Sequence, residues 1–483
     1  MAACRRAILS QDAHGTRAIT RGPAQSSRRL WRVSLALLLL LLAASCAPRA
    51  AAYSLLTHEE LIDLTWQDSI VPLLLNHYPG LTPAQLQEAR AYAYGGCVIQ
   101  DIGYYPFGDQ SFSNLTHYVR SGDFVVNLFR NAHSADELAF AIGALSHYIG
   151  DSIGHSQATN LAVPVEFPRL RRRFGSVVSY AEGEHQHVQT EFAFDIDEIH
   201  DRRMAPVHFL RHIGLKVSVR QLALAFYQTY GITENFSVLH GRRFNVSGYR
   251  FAVRAFIPRI AYAVTLLHRK SEPPEIESAE TRKLDAEVDA VAAANDWQHY
   301  RRKAGIGTHL LAALIFILPK IGPLRLVAVK GPTQATETDY IHSVLSSEQD
   351  LRIRLELFTP PTARRWHNPD VPSGAPPDRH HPLPNRDLDT GKVVQPGGYP
   401  LTDKTYAHLL HQLVRHAQRP IPPGIKTDIQ AYYANPGAPI TTRKNARAWA
   451  QVQADLVTLT AMPTTTASQP YPTFAEEAAA AAK

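Results

Sequence analysis

One stretch, SADELAFAIGALSHYIGDSIGH (134–155), limits what this chain can fold into more than any other. Ser134 with Glu137 three residues on is a capping-box signature, and the run behind it reads as a helix. Inside that helix His147, Asp151 and His155 stand at two successive steps of four, which puts all three on one face, able to converge on one centre. Gly143, Ala144 and Gly154 share the wedge, and such small neighbours leave room for an ion with a substrate above it. Glycine within a helix costs about 1 kcal/mol relative to alanine, so a compensating role is expected. A single histidine here reads as a satisfied core residue; three ligand-type residues in this pattern favour a metal.

A second helical pair strengthens the metal reading. In AEGEHQHVQTEFAFD (181–195), His187 and Glu191 are again four apart and supply the imidazole and carboxylate that zinc accepts. Two such helices facing each other in a bundle make an ordinary metal site. The pair alone carries little weight in a chain with 23 histidines.

Helix signals run through the rest of the first half. THEE (57–60) reads as a capping box opening LIDLTWQDSIVPLLL, and TPAQLQEARAYAY (82–94) begins with a Thr cap and Pro at the first helical position, ending at Gly95-Gly96. Amphipathic stretches cover 184–200, 205–230, 247–270 and 280–302. The apolar THLLAALIFILPKIGPLRL (308–326) is too interrupted to span a bilayer and reads as a buried helix. Residues 359–398, rich in Pro, Gly and charge, read as a long loop or linker; helices follow at 402–417 and 441–459, and a low-complexity tail from Met462 reads as disordered. There is no internal repeat. The expectation is an all-α, multi-helix bundle: a leader (1–52), a helical domain (53–330), a less regular C-terminal extension (331–461) and the tail (462–483).

Charge argues against nucleic acid as a partner. Residues 1–52 hold eight arginines against one acidic residue, Asp12, a surplus that accounts for the whole formal net charge of +7. The same segment reads as an export signal: SSRRLWR (26–32), the apolar VSLALLLLLLAA (33–44), then small residues with a cut near Ala50–Ala52. An exported protein, in the periplasm, in the cell envelope or secreted, is expected. AASC (43–46) resembles a lipoprotein acylation site, which would anchor Cys46; simple cleavage is the alternative. With Cys4 and Cys46 in the leader region and only Cys97 beyond it, no disulfide framework holds the fold.

HYIGD inside a helix, then a His, then a helix with H-x-x-x-E, resembles the zinc-dependent phospholipase C family, whose relatives include the S1/P1 nucleases. The spacing His147-x3-Asp151-x3-His155 is more similar to the metal domain of glycosylphosphatidylinositol-specific phospholipase D than to the bacterial toxins, and the resemblance covers roughly residues 53–270. It implies an all-helical scaffold with two or three zinc ions. His117 and His147 would hold the first with Asp151, and Asp101 would be a further ligand or the general base. His155, His187 and Glu191 would hold the second; His58 would join Asp151 on the third, with the amine and carbonyl of a mature N-terminus near Tyr53. The bacterial enzymes begin with Trp, which this chain lacks at that position. Acylation of Cys46 would exclude the terminal-amine ligand.

The implied activity is hydrolysis of a phospholipid or related phosphodiester by zinc-activated water, with Asp101 and Asp151 in catalytic roles and peripheral membrane contact. Two other readings stand beside it: a nuclease using the same cluster, and a non-catalytic, metal-stabilised binding module of the envelope. RLRRRF (169–174), between the two metal helices, reads as a solvated face that could also attract an anionic head group; YYPFG (104–108) reads as core or pocket lining, His380-His381 as incidental and Cys97 as a small buried residue.

Overall fold

The computed structural model describes residues 55–104, 108–234, 236, 250, 253–254, 257–268, 278–302, 305–317, 331–356 and 382–466. Outside them lie the leader, Cys46, Tyr53, residues 105–107 of YYPFG, and His380-His381. Among the described residues the only strand-like pairings are the isolated bridges Arg386–Val393 and Ile421–Thr464, so the chain is all-α.

In chain order the first helices are α1 (Leu55–Thr65), α2 (Val71–His77), α3 (Pro83–Gly96), α4 (Gln110–Tyr118), α5 (Ser121–Arg130) and α6 (Ala135–Gly154). Then come α7 (Asn160–Glu166), α8 (Pro168–Phe174), α9 (Tyr180–His200), α10 (Val207–Ile213), α11 (Val219–Tyr230), α12 (Ile257–His268) and α13 (Ala279–Ala294). The last are α14 (Trp297–Tyr300), α15 (Ile306–Ile317), α16 (Gln334–Leu355), α17 (Pro400–Val414), α18 (Pro423–Tyr433) and α19 (Ala446–Ala461). A single apolar core links α1 to α16, α17, α18 and α19.

Local signals account for several boundaries. Thr82 caps α3 in a complete capping box with Gln85, and Ser134 caps α6 through the Glu137 amide at 3.2 Å. THEE behaves differently. Helix α1 starts at Leu55, and its first amides are capped from outside, by Asp195 on α9: Leu56 N and Thr57 N each donate to that carboxylate at 3.3 Å. The Thr57 hydroxyl joins the same carboxylate at 2.9 Å and lies 2.7 Å from the Tyr340 hydroxyl of α16. An anion at a helix N-terminus meets both its unsatisfied N–H groups and its dipole, so a distant Asp replaces the local box. The 205–230 stretch divides at Gly214, whose φ of +93° ends α10.

Gly143 does not make room for an ion. A Cβ there would lie 2.2 Å from the Ala93 carbonyl oxygen, and one on Gly96 would lie 2.1 Å from that of Phe140. The glycines let the α3 and α6 backbones touch, and this contact offsets their helical cost. Helix α6 is buried along most of its length and passes at His155–Thr159 through a π-helical turn into α7. Such turns are frequent at functional sites because they re-aim side chains.

The C-terminal half differs most from expectation. Helix α16, 22 residues long and packed on α6, had no counterpart in the sequence reading, nor did α18. Of the supposed linker, residues 382–398 are described, and they are fixed against the first half. Ser121 Oγ donates to the Arg386 carbonyl and accepts from its amide, Asn385 Oδ1 accepts from Asp123 N, and Tyr148 Oη donates to the Pro384 carbonyl. The tail is ordered at its start: Ile421 N donates to the Pro463 carbonyl and Thr465 N to that of Ile421. The apolar 308–326 stretch lies within the described residues only as far as Ile317, and the helix there, α15, is half covered. Ala312 and Ile315 of α15 pack with Ala193, Ile196, Ala263 and Val264, whereas Ile306, Leu310, Phe316 and Ile317 face solvent. No described helix is long and apolar enough to cross a membrane.

Candidate metal centre

All eight residues singled out in the sequence are buried, and they gather into two groups with His58 at the edge of the first. The first comprises Asp101, His117, His147 and Asp151. His147 and Asp151 face each other one turn apart on α6, with Nε2 3.2 Å from Oδ2. His117, near the end of α4, places Nε2 3.1 Å from Asp151 Oδ2 and 3.2 Å from Asp101 Oδ1. Asp101 comes from the 3-10 turn Gln100–Gly103 that follows α3. His58 of α1 stacks on His147 with centroids 4.2 Å apart and sets its Nε2 3.2 Å from Asp151 Oδ1. Asp151 thus presents one oxygen to His117 and His147 and the other to His58.

Backbone carbonyls orient the rings. His147 Nδ1 donates to the Cys97 carbonyl at 2.9 Å and His117 Nδ1 to that of Ser113 at 2.7 Å, so both Nε2 atoms point into the cluster. Cys97 itself is a buried thiol whose sulfur donates to the Tyr94 carbonyl.

The second group is His155, His187 and Glu191. The π-helical turn separates His155 from its neighbours on α6; its ring stacks on His187 with centroids 4.9 Å apart. His187 Nε2 lies 2.8 Å from the Asn160 amide oxygen, which accepts its proton, and this leaves Nδ1 facing Glu191 Oε1 at 3.0 Å. Helix α6 and the π-helical turn that follows it therefore serve one centre each.

The donor chemistry fits zinc. Asp101 Oδ1, both Asp151 oxygens, both His155 ring nitrogens and Glu191 Oε2 are buried and make no hydrogen bond. Buried polar atoms without partners are costly, and neutral imidazole with carboxylate is a ligand set that zinc takes. Without metal, the charges show what an ion would relieve. Burial alone would lower His117, yet Asp101 and Asp151 beside Nε2 push it up to about 10. Burial also opposes ionisation of Asp151, but His147, His117 and His58 hold its carboxyl well below the usual range. In the second group burial dominates: it takes His187 down to about 3, lowers His155 and raises Glu191.

One residue at this site escaped the sequence reading. Asp389, from the supposed linker, is buried with Oδ1 3.9 Å from His155 Nε2, and burial pushes its carboxyl up to about 7. Its only sequence signal was turn chemistry in DLDTG (387–391), which says nothing of what the turn rests against. RLRRRF forms the short α8, whose arginines face solvent, and the Tyr104 ring of YYPFG packs 5.3 Å from that of His117.

Residues 57–235 match the family model of zinc dependent phospholipase C, a span that contains His58 through Glu191. No curated protein and no solved structure matches the chain. Residues 57–235 therefore form a domain of the zinc-dependent phospholipase C family, a phosphodiester hydrolase whose cofactor is zinc.

Proposed function

We propose that this chain is an exported phospholipase C-type enzyme that hydrolyses the phosphodiester of a phospholipid or a related ester. The observation that carries this reading is the convergence of five imidazoles and three carboxylates in one buried region, with Asp151 shared between His58 and the His117–His147 pair. His117, His147 and Asp151 would hold one zinc ion, with Asp101 beside it; His155, His187 and Glu191 would hold a second, and His58 with Asp151 a third. Bound zinc supplies a lowered pKa for water and neutralises phosphodiester oxygens. The remaining work falls to the chain's own residues. Asp101 is the base that takes the proton of the attacking water, and the Cys97 and Ser113 carbonyls keep His147 and His117 aimed inward. No side-chain nucleophile is needed.

Peripheral contact with a lipid surface is part of the proposal. It is supported by the exposed apolar face of α15, where Ile306, Leu310, Phe316 and Ile317 stand outward while the opposite face packs on α9 and α12.

Metal analysis of the purified mature protein, with hydrolysis assays on phosphatidylcholine vesicles and on single-stranded nucleic acid, tests the reading. Two or three zinc ions and release of phosphocholine are expected. Turnover of nucleic acid alone would reassign the chain as a nuclease, and zinc without hydrolysis of either substrate would leave a metal-stabilised binding module.

A further inference from the structure

The second group sits beside a residue well beyond the family match. Asp389 lies on a tight turn in which Asp387 N donates to the Lys392 carbonyl, Gly391 N to that of Asp387, and Val394 N to that of Asn385. This turn is seated on the site. Leu388 N donates to the His117 carbonyl at 3.0 Å, and Gly391, at φ +67°, comes so close to α6 that a Cβ would lie 2.3 Å from the Ser152 oxygen. Asp389 cannot swing away without breaking these contacts.

Its two carboxylate oxygens have different neighbours. Oδ2 accepts from Tyr118 Oη at 2.9 Å and from Tyr399 Oη at 2.6 Å, while Oδ1 stands 3.9 Å from His155 Nε2. The Asp389 main-chain oxygen accepts from Asn160 Nδ2 at 2.8 Å, which orients the amide whose oxygen takes the His187 Nε2 proton. Asp389 thus faces one imidazole of the group directly and, through Asn160, sets which nitrogen the other presents.

Charge points the same way. Within the family match the site buries three carboxylates, Asp101, Asp151 and Glu191, whose negative charge falls short of balancing two zinc ions and further short of balancing three. Asp389 adds a fourth negative charge beside the group whose only acidic member within the family match is Glu191. Burying an uncompensated charge is expensive, so a fourth buried carboxylate favours full occupancy.

We propose that Asp389 is a working part of the second metal centre, its charge beside His155 balancing the ion that His155, His187 Nδ1 and Glu191 hold, and that the C-terminal segment thereby completes a site the family domain only begins. The inference rests on the zinc phosphodiesterase reading above. A purely structural Asp389 would serve only as an acceptor for the two tyrosines.

Asp389→Asn separates these roles, because the amide oxygen still accepts from Tyr118 and Tyr399 while the charge is lost. Zinc would be counted by mass spectrometry after gel filtration, and affinity read by competition with a chromophoric chelator. The expected result is one zinc fewer than wild type or a weakening of its weakest site by roughly 10–100-fold. Unfolding of the chelator-treated variant should match that of chelator-treated wild type. His187→Ala should lose that ion too, and adding Asp389→Asn to it should remove no further zinc. Wild-type zinc content and affinity in Asp389→Asn, a further zinc lost from the double variant, or a lower melting temperature of the metal-free variant would each overturn the inference. Wild type that bound no zinc would instead sink the underlying functional reading.

Discussion

The two metal groups are neighbours along the chain, one on α6 and one starting at the π-helical turn that follows it, yet they answer burial in opposite ways. Around Asp151, two carboxylates stand among three imidazoles, and protons can take the place of an ion: His117 is driven up to about 10 and Asp151 is held ionised. Around His187 the family domain supplies one carboxylate for two imidazoles, with Asp389 no nearer than 3.9 Å to His155, and the group answers by shedding charge, with His187 taken down to about 3 and Glu191 raised. The difference is one of charge density. A site with enough opposite charge pays for desolvation internally, whereas a sparse one stays neutral until a cation arrives.

Several measurements would break or sharpen that contrast. The largest effect is expected from Asp151→Asn, which removes the charge shared by His58, His117 and His147. It should cost at least one zinc and lower turnover by more than about 100-fold, beyond what the loss of an outer partner costs. Equal zinc content in variant and wild type would end the bridging assignment. Next, His187→Ala should remove one zinc and leave the first group loaded, read as a single step in metal content. Loss of all zinc would mean that the two groups are not separable.

The pH response of the metal-free protein should also differ between the groups. A His117 value raised from 6.5 to about 10 contributes stability that is fully present below pH 6.5 and lost as pH rises toward 10. His187, lowered from 6.5 to about 3, destabilises the fold as pH falls through that window and has no effect above it. The urea midpoint of chelator-treated His117→Gln should therefore lie below that of wild type up to about pH 6.5 and approach it as pH rises to 10, whereas that of His187→Gln should gain on wild type as pH falls from 6.5 toward 3. Coincident curves would show that the groups do not differ in protonation.

Smaller effects test the scaffold. Gly143→Ala forces a methyl against the Ala93 carbonyl and should destabilise by about 1–3 kcal/mol, as overpacking does, measured by urea unfolding. Because Cys97, which orients His147, directly follows α3, zinc affinity of the first group should fall more than that of the second. His380→Ala should change neither zinc content nor turnover, as expected of an incidental histidine.

The site was legible where its parts share a helix. His147 with Asp151, and His187 with Glu191, are one turn apart, and 3.6 residues per turn brings such pairs together in any helix. Local chemistry also placed the Thr82 cap. It misplaced the start of α1, where Asp195 outbids Glu60, and it read Gly143 as open space because a sequence does not show what stands opposite a glycine. Helix α16 lacked a clear stripe because apolar and polar residues alike are covered, among them Thr336, Glu337, Ser343, Ser347 and Glu348. A helix surrounded by protein need not show the amphipathic period.

By itself the sequence determined that this chain is helical, and it paired His147 with Asp151 and His187 with Glu191, since both follow from residue type and short-range spacing; Asp101, His117 and His58 entered only through the family resemblance. Only the tertiary structure decided that a π-helical turn splits the ligands of 134–155 between two groups, that Asp195 starts α1, and that Asp389 returns from the far end of the chain to lie beside His155. Those outcomes depend on which distant backbones approach closely enough to exchange hydrogen bonds, and residue order carries no local signal of that approach.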